Sequence, residues 1–433
     1  VGCRRIRIRG PGDMSFRGVG ASRAVVSFVD GLLRFDRSMA TSLDELDPDT
    51  AATPVVAVLR GYQYLLGGVR PPAATIETLR RLDAATLSGW ETAHLEVVRL
   101  LLNGGYGAAG ARLLAISREF PDDELALAAG HQVDFLSGAS RTMLTRLLDS
   151  PLLVEGTTAA YPYLLAMLAF AHGENDQHAE SSAAAERALA LAPADNPWAV
   201  HACAHAFFEA RDYGSAARLL SATSGHWGGE RCLLRTHLTW HRALTAMAVA
   251  DRDGLQAMVS DILRVVAGES SAMQFCDAVS LLWRLRLAGI AGPDDFAALV
   301  PRATEIRALS NSAFVDLHAL LAIVGAERHE QARRIAAEIG EQRAGTAEDL
   351  LRTRRTAVRV AESFVDYCAS NPELAVRGLI SVLPEVAAMG GSMIQRDLVL
   401  ELLVNCDHGR GADLLAPSGA RVDMRPLVTA RGA

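Results

Sequence analysis

The chain has 433 residues, of which 50% are hydrophobic and 21% charged, so it has material for a large buried core and is far too apolar to stay disordered. Forty-three basic residues against 50 acidic ones leave a formal charge of −7, which speaks against a nucleic-acid partner. No lysine occurs, so all 43 basic residues are arginines, and a pyridoxal Schiff base, a lysine aldolase and a Walker-type phosphate loop are excluded together.

In chain order, the Arg-rich opening carries no apolar secretory core, and residues 1–20 are expected to form a disordered leader, with Met14 an alternative start. From residue 21 onward apolar residues recur at three and four positions, as at Leu95, Val98, Leu101 and Leu102, which predicts helices throughout. Breaks fall at Asn103-Gly104-Gly105, Pro121-Asp122-Asp123, Pro193-Ala194-Asp195, Gly292-Pro293-Asp294 and Asn371-Pro372. They leave helices of about 12 to 18 residues, arranged in pairs. The most apolar stretch, Ala159 to Ala171, is shorter than the roughly 20 residues a bilayer requires, so no membrane association is expected.

Leu165, Leu168, Ala169, Ala185 and Ala188 are echoed some 35 residues later by Val200, Cys203, Ala204, Phe207, Tyr213, Ala216 and Leu220. In this tetratricopeptide-like spacing, small residues let the two helices of a hairpin approach closely. Arg34 to Leu66 and Phe364 to Leu383 look like degenerate copies. The predicted fold is all-α: a single tetratricopeptide-like α/α superhelix over residues 21–410, with a concave groove and a C-terminal extension at 411–433. Six cysteines without a CxxC pair read as free thiols in a reducing cytoplasm, and the lysine-free, Ala- and Arg-rich composition suggests a bacterial, high-GC genome.

His201 and His205 are four apart and share a helix face, as do His237 and His241, with Trp240 beside them. Three readings compete. Two HxxxH pairs could hold zinc or another divalent transition metal through four imidazoles, although neither pair contains the Glu of an HExxH motif. The same rings could instead serve as general bases or substrate contacts, or simply bond to neighbouring carbonyls. Asp277 and Arg284 lie two helical turns apart on one face, either as a salt bridge or as ligand contacts. Asp316 and His318 sit in another apolar helix. Gly390-Gly391-Ser392 before Gln395-Arg396-Asp397 opens a helix whose backbone N–H groups, with Arg396, could hold a carboxylate or phosphate. Cys203, between His201 and His205 in sequence, points away from both and reads as a core thiol.

Trp198-Ala199-Val200-His201-Ala202-Cys203-Ala204-His205 and His237-Leu238-Thr239-Trp240-His241 resemble the tetratricopeptide repeat protein 38 family. The likeness extends to His131-Gln132-Val133-Asp134-Phe135, Tyr161-Pro162-Tyr163 with Ala169-Phe170, Asp277 to Leu285, Asp316-Leu317-His318 and Gly390 to Asp397. It implies a helical-repeat fold with polar groups on one side of the solenoid, adds His131 and Asp134 to the candidate residues, and implies no settled reaction. Phe208 stands where the family usually has Glu, and His172-Gly173-Glu174 replaces an acidic pair.

The resulting expectation is a closed pocket for a small polar or anionic molecule, used for cofactor-independent acid–base chemistry in bacterial specialised metabolism. His205, His237, His241, Asp277 and Asp316 form the expected catalytic set, and His131, Asp134, His201, Trp240, Arg284, His318, Gln395, Arg396 and Asp397 the ligand contacts. The competing class is a non-catalytic scaffold whose groove grips a protein or peptide partner.

Overall fold

The computed structural model describes residues 19–155, 158–192, 196–268, 270–340 and 346–407. The expected leader up to residue 18 and the C-terminal extension lie outside the described residues, whereas residues 19 and 20 already belong to the helix Val19–Arg34. Every regular element among the described residues is helical. An isolated antiparallel bridge joins Asp36 to Cys232. No described helix is long and apolar enough to cross a membrane.

The helix ends follow local chemistry. Ser88 and Glu91 form a reciprocal capping box at the start of Gly89–Leu102, and Ser271 with Gln274 does the same for Ala272–Leu287. Gly89–Leu102 stops at the expected Asn103-Gly104 break, where Gly104 adopts φ 76°, a left-handed conformation that costs glycine no steric strain. Helix lengths mostly match the expected range, with Glu348–Cys368 the longest at 21 residues.

The described residues group into two compact units, with the boundary between Arg235 and Thr236. In the first, Tyr161–Gly173 packs against both His178–Leu191 and Pro197–Glu209, so each helix meets its own hairpin partner and the next hairpin. Ala169, Ala185, Ala202 and Cys203 make this close approach possible because none carries a long side chain. The thiol of Cys203 is buried, and desolvation pushes it up to about 12, which keeps it an un-ionised core group. In the second unit, Ala313–Gly325 is buried along its whole length between Ala272–Leu287, Val300–Leu309 and Glu348–Cys368. Trp283 anchors that unit: its ring meets Phe296 and Phe364, and its Nε1 donates to the Leu321 carbonyl at 2.9 Å.

A buried polar chain ties three helices of the first unit. His94 Nε2 donates to Asp123 Oδ2 at 2.8 Å, and the Tyr62 hydroxyl donates to His94 Nδ1 at 2.8 Å. Trp90 Nε1 donates to the same carboxylate oxygen at 2.8 Å, while Asp123 Oδ1 caps the helix Glu124–Ser137 by accepting from Ala126 N at 3.1 Å. His94 and Tyr62 are completely buried. All of these groups are used in holding the helices together. Replacing Asp123 with Ala would remove the cap and leave two buried donors unmatched, so unfolding in urea should show a loss of about 3 to 6 kcal/mol.

Candidate functional site

In the second unit, four helices bring together residues from widely separated parts of the sequence. His237 and His241 lie one turn apart on Arg235–Ala248, Asp277 and Arg284 lie on Ala272–Leu287, His318 is on Ala313–Gly325, and Gln395 is on Met393–Asp407. His237 Nδ1 donates to Asp277 Oδ1 at 2.9 Å. The carboxylate thus favours the tautomer with the proton on Nδ1. Gln395 Nε2 approaches the same oxygen at 3.5 Å. Its amide orientation is set from the other end, because Gln395 Oε1 accepts from Ser392 N while Ser392 Oγ accepts from Gln395 N.

The Gly390-Gly391-Ser392 turn therefore orients Gln395, with the Ser392 N–H given to that side chain. Gly391 is at φ 83°, and a Cβ there would lie 2.4 Å from Phe314 Cε2, so both backbone geometry and packing demand glycine. Arg396 donates to the Gly391 carbonyl, and Asp397 is half-buried on the same helix.

Rings surround His237 on its own helix. His237 stacks on Trp240 with centroids 5.3 Å apart and planes 12° apart, and His241 meets Trp240 edge-on at 4.8 Å and His237 at 4.7 Å. The Arg284 guanidinium lies 5.4 Å from the Trp240 ring centre. Trp240 is fully buried, yet its Nε1 has no hydrogen-bond acceptor among the described residues. Arg284 shares the helix face with Asp277, as the spacing predicts, but pairs with Glu401: Nε donates to Glu401 Oε1 at 3.0 Å and Nη2 to the Ile394 carbonyl at 2.8 Å. Nη1 turns back to the Ser280 hydroxyl.

Asp316 and His318 are two positions apart on a helix, which sends them to different neighbours. Asp316, fully buried, accepts from Arg354 Nε at 2.6 Å and lies 3.5 Å from Arg307 Nε. His318 donates from Nδ1 to the Phe314 carbonyl at 2.8 Å. Burial, with a smaller contribution from Arg284, outweighs that bond and the Asp277 charge and lowers the His318 pKa to about 4.

In the first unit, His131, His201 and His205 gather around Phe170 and Trp198. His201 stacks on Phe170 at 5.5 Å, His205 meets Phe170 edge-on at 5.1 Å, and the two imidazoles are 4.4 Å apart. Asp134 forms a forked pair with Arg146, whose Nε reaches Oδ2 at 3.0 Å and whose Nη2 reaches Oδ1 at 3.1 Å. Burial raises the Asp134 pKa and Arg146 pulls against it. Gly130 makes room for that guanidinium, since a Cβ there would lie 2.5 Å from Arg146 Nε.

Glu401, Arg354, Arg307 and Arg146, which hold the three candidate residues Arg284, Asp316 and Asp134, were not singled out from the sequence. None lies at a helical spacing from its partner that would signal the pair. A groove of about 270 Å³ lined by Leu320, Val324, Ala336, Val358, Val365 and their neighbours contains none of the candidate residues. No protein-family model matches the chain.

Burial and the Arg146 charge depress the His131 pKa to about 3. The ordinary value is near 6.5, so between these two values the unfolded chain binds the proton more readily. This contribution is fully present above pH 6.5 and is lost as pH falls towards 3. His318 acts in the same direction down to about 4. Unfolding free energies of a His131→Phe variant should therefore fall less steeply than those of the parent, by about 2 to 3 kcal/mol between pH 7 and 4.5.

Proposed function

We propose that the chain is a tetratricopeptide-like repeat protein, its helix pairs stacked within each unit in the manner of the family it resembles, that binds a small polar or anionic molecule and moves a proton on it. The observation carrying this reading is the His237–Asp277–Gln395 chain beside the buried, unmatched Nε1 of Trp240. His237, with Nδ1 held by Asp277, presents Nε2 as a general base, and a carboxylate or similar acceptor on the ligand satisfies the Trp240 N–H. Ionisable groups gathered in an apolar helical wall are costly unless paired or used: Arg284 is paired with Glu401, Asp316 with Arg354 and His237 with Asp277, and the last pair is the one we assign to proton transfer. A cofactor-independent reaction in bacterial specialised metabolism is the setting we favour.

Binding measured calorimetrically against a panel of small carboxylates and phosphate monoesters tests the site. Trp240→Phe should weaken the best ligand about tenfold, through loss of one buried hydrogen bond. Asp277→Asn should change the His237 tautomer in nitrogen NMR spectra. Absence of binding across the panel, or affinity and tautomer unchanged in both variants, would refute the reading.

A second reading makes the histidines metal ligands. His201 and His205 present ring nitrogens within 4.8 Å of each other, and so do His237 and His241, close enough for modest side-chain adjustment to place a shared divalent ion about 2.0 to 2.1 Å from each nitrogen of a pair. Metal analysis after equilibration with zinc decides it. One or more tightly held ions, lost in His205→Ala or His241→Ala, would favour a metal-assisted reaction over the cofactor-independent one. The scaffold alternative draws on the apolar groove beside Val324 and Val358, which an amphipathic peptide helix would fit.

A further inference from the structure

His131 lies on the helix Glu124–Ser137 at 2% exposure, and neither of its ring nitrogens has a hydrogen-bond partner among the described residues. A buried donor and a buried acceptor left unmatched each carry a desolvation penalty, so an apolar side chain would serve packing better. The imidazole is surrounded by rings. Trp198 meets it edge-on at 5.4 Å and Phe170 at 5.8 Å, while Phe170 also contacts Phe135 at 6.2 Å. The neighbouring charges, Asp134 and Arg146, are matched to each other at 2.8 Å.

The outer face of Trp198 is covered by Phe35, 4.9 Å away and only partly buried. Phe35 stands at φ 49°, a left-handed conformation that is strained for a bulky residue. Backbone pairing on both sides holds it there: Asp36 N donates to the Gly31 carbonyl at 2.9 Å, closing the helix end, and Leu233 N donates to the Phe35 carbonyl at 2.6 Å.

We propose that this ring cluster is a binding subsite for an uncharged, hydroxylated aromatic ring of about the size of phenol. The ligand hydroxyl donates to the unprotonated nitrogen of His131, and its ring packs against Trp198 and Phe170 in the edge-on and offset geometries aromatic groups prefer. A charged ring is disfavoured, because it would lose its hydration among aromatic rings, where the Arg146 charge is already paired with Asp134. Phe35, at the edge of the cluster and not fully buried, is the point of entry. No residue of the cluster takes part in the His237–Asp277 pair, so this subsite stands or falls separately from the base proposed above.

The test titrates full-length protein, labelled with nitrogen-15 histidine, with phenol and with toluene while the His131 ring signals are followed. Phenol should shift those signals saturably and bind at least tenfold more tightly than toluene. His131→Phe should abolish the preference, His131→Gln should keep part of it, and Phe35→Ala should speed association. Ring signals unmoved at millimolar phenol, equal affinity for the two probes, or a preference that survives in folded His131→Phe protein would each overturn the proposal. Should His131→Phe fail to fold, the comparison of phenol with toluene in the parent and in His131→Gln decides.

Discussion

The architecture depends on one constraint: an ionisable group carried into an apolar helical interior must find a partner there, because water no longer supplies one. The partners come from other helices. Asp134 takes Arg146 from the next helix, Asp316 takes Arg354 from 38 positions further along, and Arg284 takes Glu401 from 117 positions away. Each match fixes a distance between helices that apolar packing alone would leave adjustable. Groups lacking such a match, the Trp240 indole and the His131 imidazole, then stand out as places where something else is wanted.

The absence of lysine makes this pattern less adjustable. Arginine does not lose its charge in any ordinary pH range, and its planar fork fits a carboxylate better than an ammonium group does. The guanidinium pairs therefore form a fixed framework, and the interior responds to acid through groups such as Asp134, whose pKa burial raises to about 6, and then His131 and His318. His131 and His318, both kept neutral by burial, lie close enough to fixed charges for Arg146 and Arg284 to reinforce that neutrality.

The sequence reveals what depends on local spacing. Helical periodicity, the break at Asn103-Gly104 and the small residues at 169, 185 and 203 are all legible because each acts within a turn or a hairpin. The four-residue spacing of His201 with His205 and of His237 with His241 likewise places each pair on one face, as their ring contacts reflect. Pairings between distant elements are not legible in this way. Asp277 and Arg284 occupy a common face as the seven-residue interval requires, but only the packed helices assign His237 to one and Glu401 to the other. The Gly-Gly-Ser turn illustrates the same limit. Its sequence suggests free N–H groups, whereas the folded turn commits the Ser392 N–H to Gln395.

The bridge joining Asp36 to Cys232 acts as a clasp between chain positions almost 200 residues apart, as the Arg231–Asp36 ion pair across 195 positions records. During synthesis the early helices can collapse as they leave the ribosome, but this fastening must wait until the strap around Cys232 has emerged. The entropic cost of closing so long a loop grows only slowly with its length, so the delay lies in waiting for the partner segment. The seat of Phe35 against Trp198 is thus fastened among the last events in assembling the first unit.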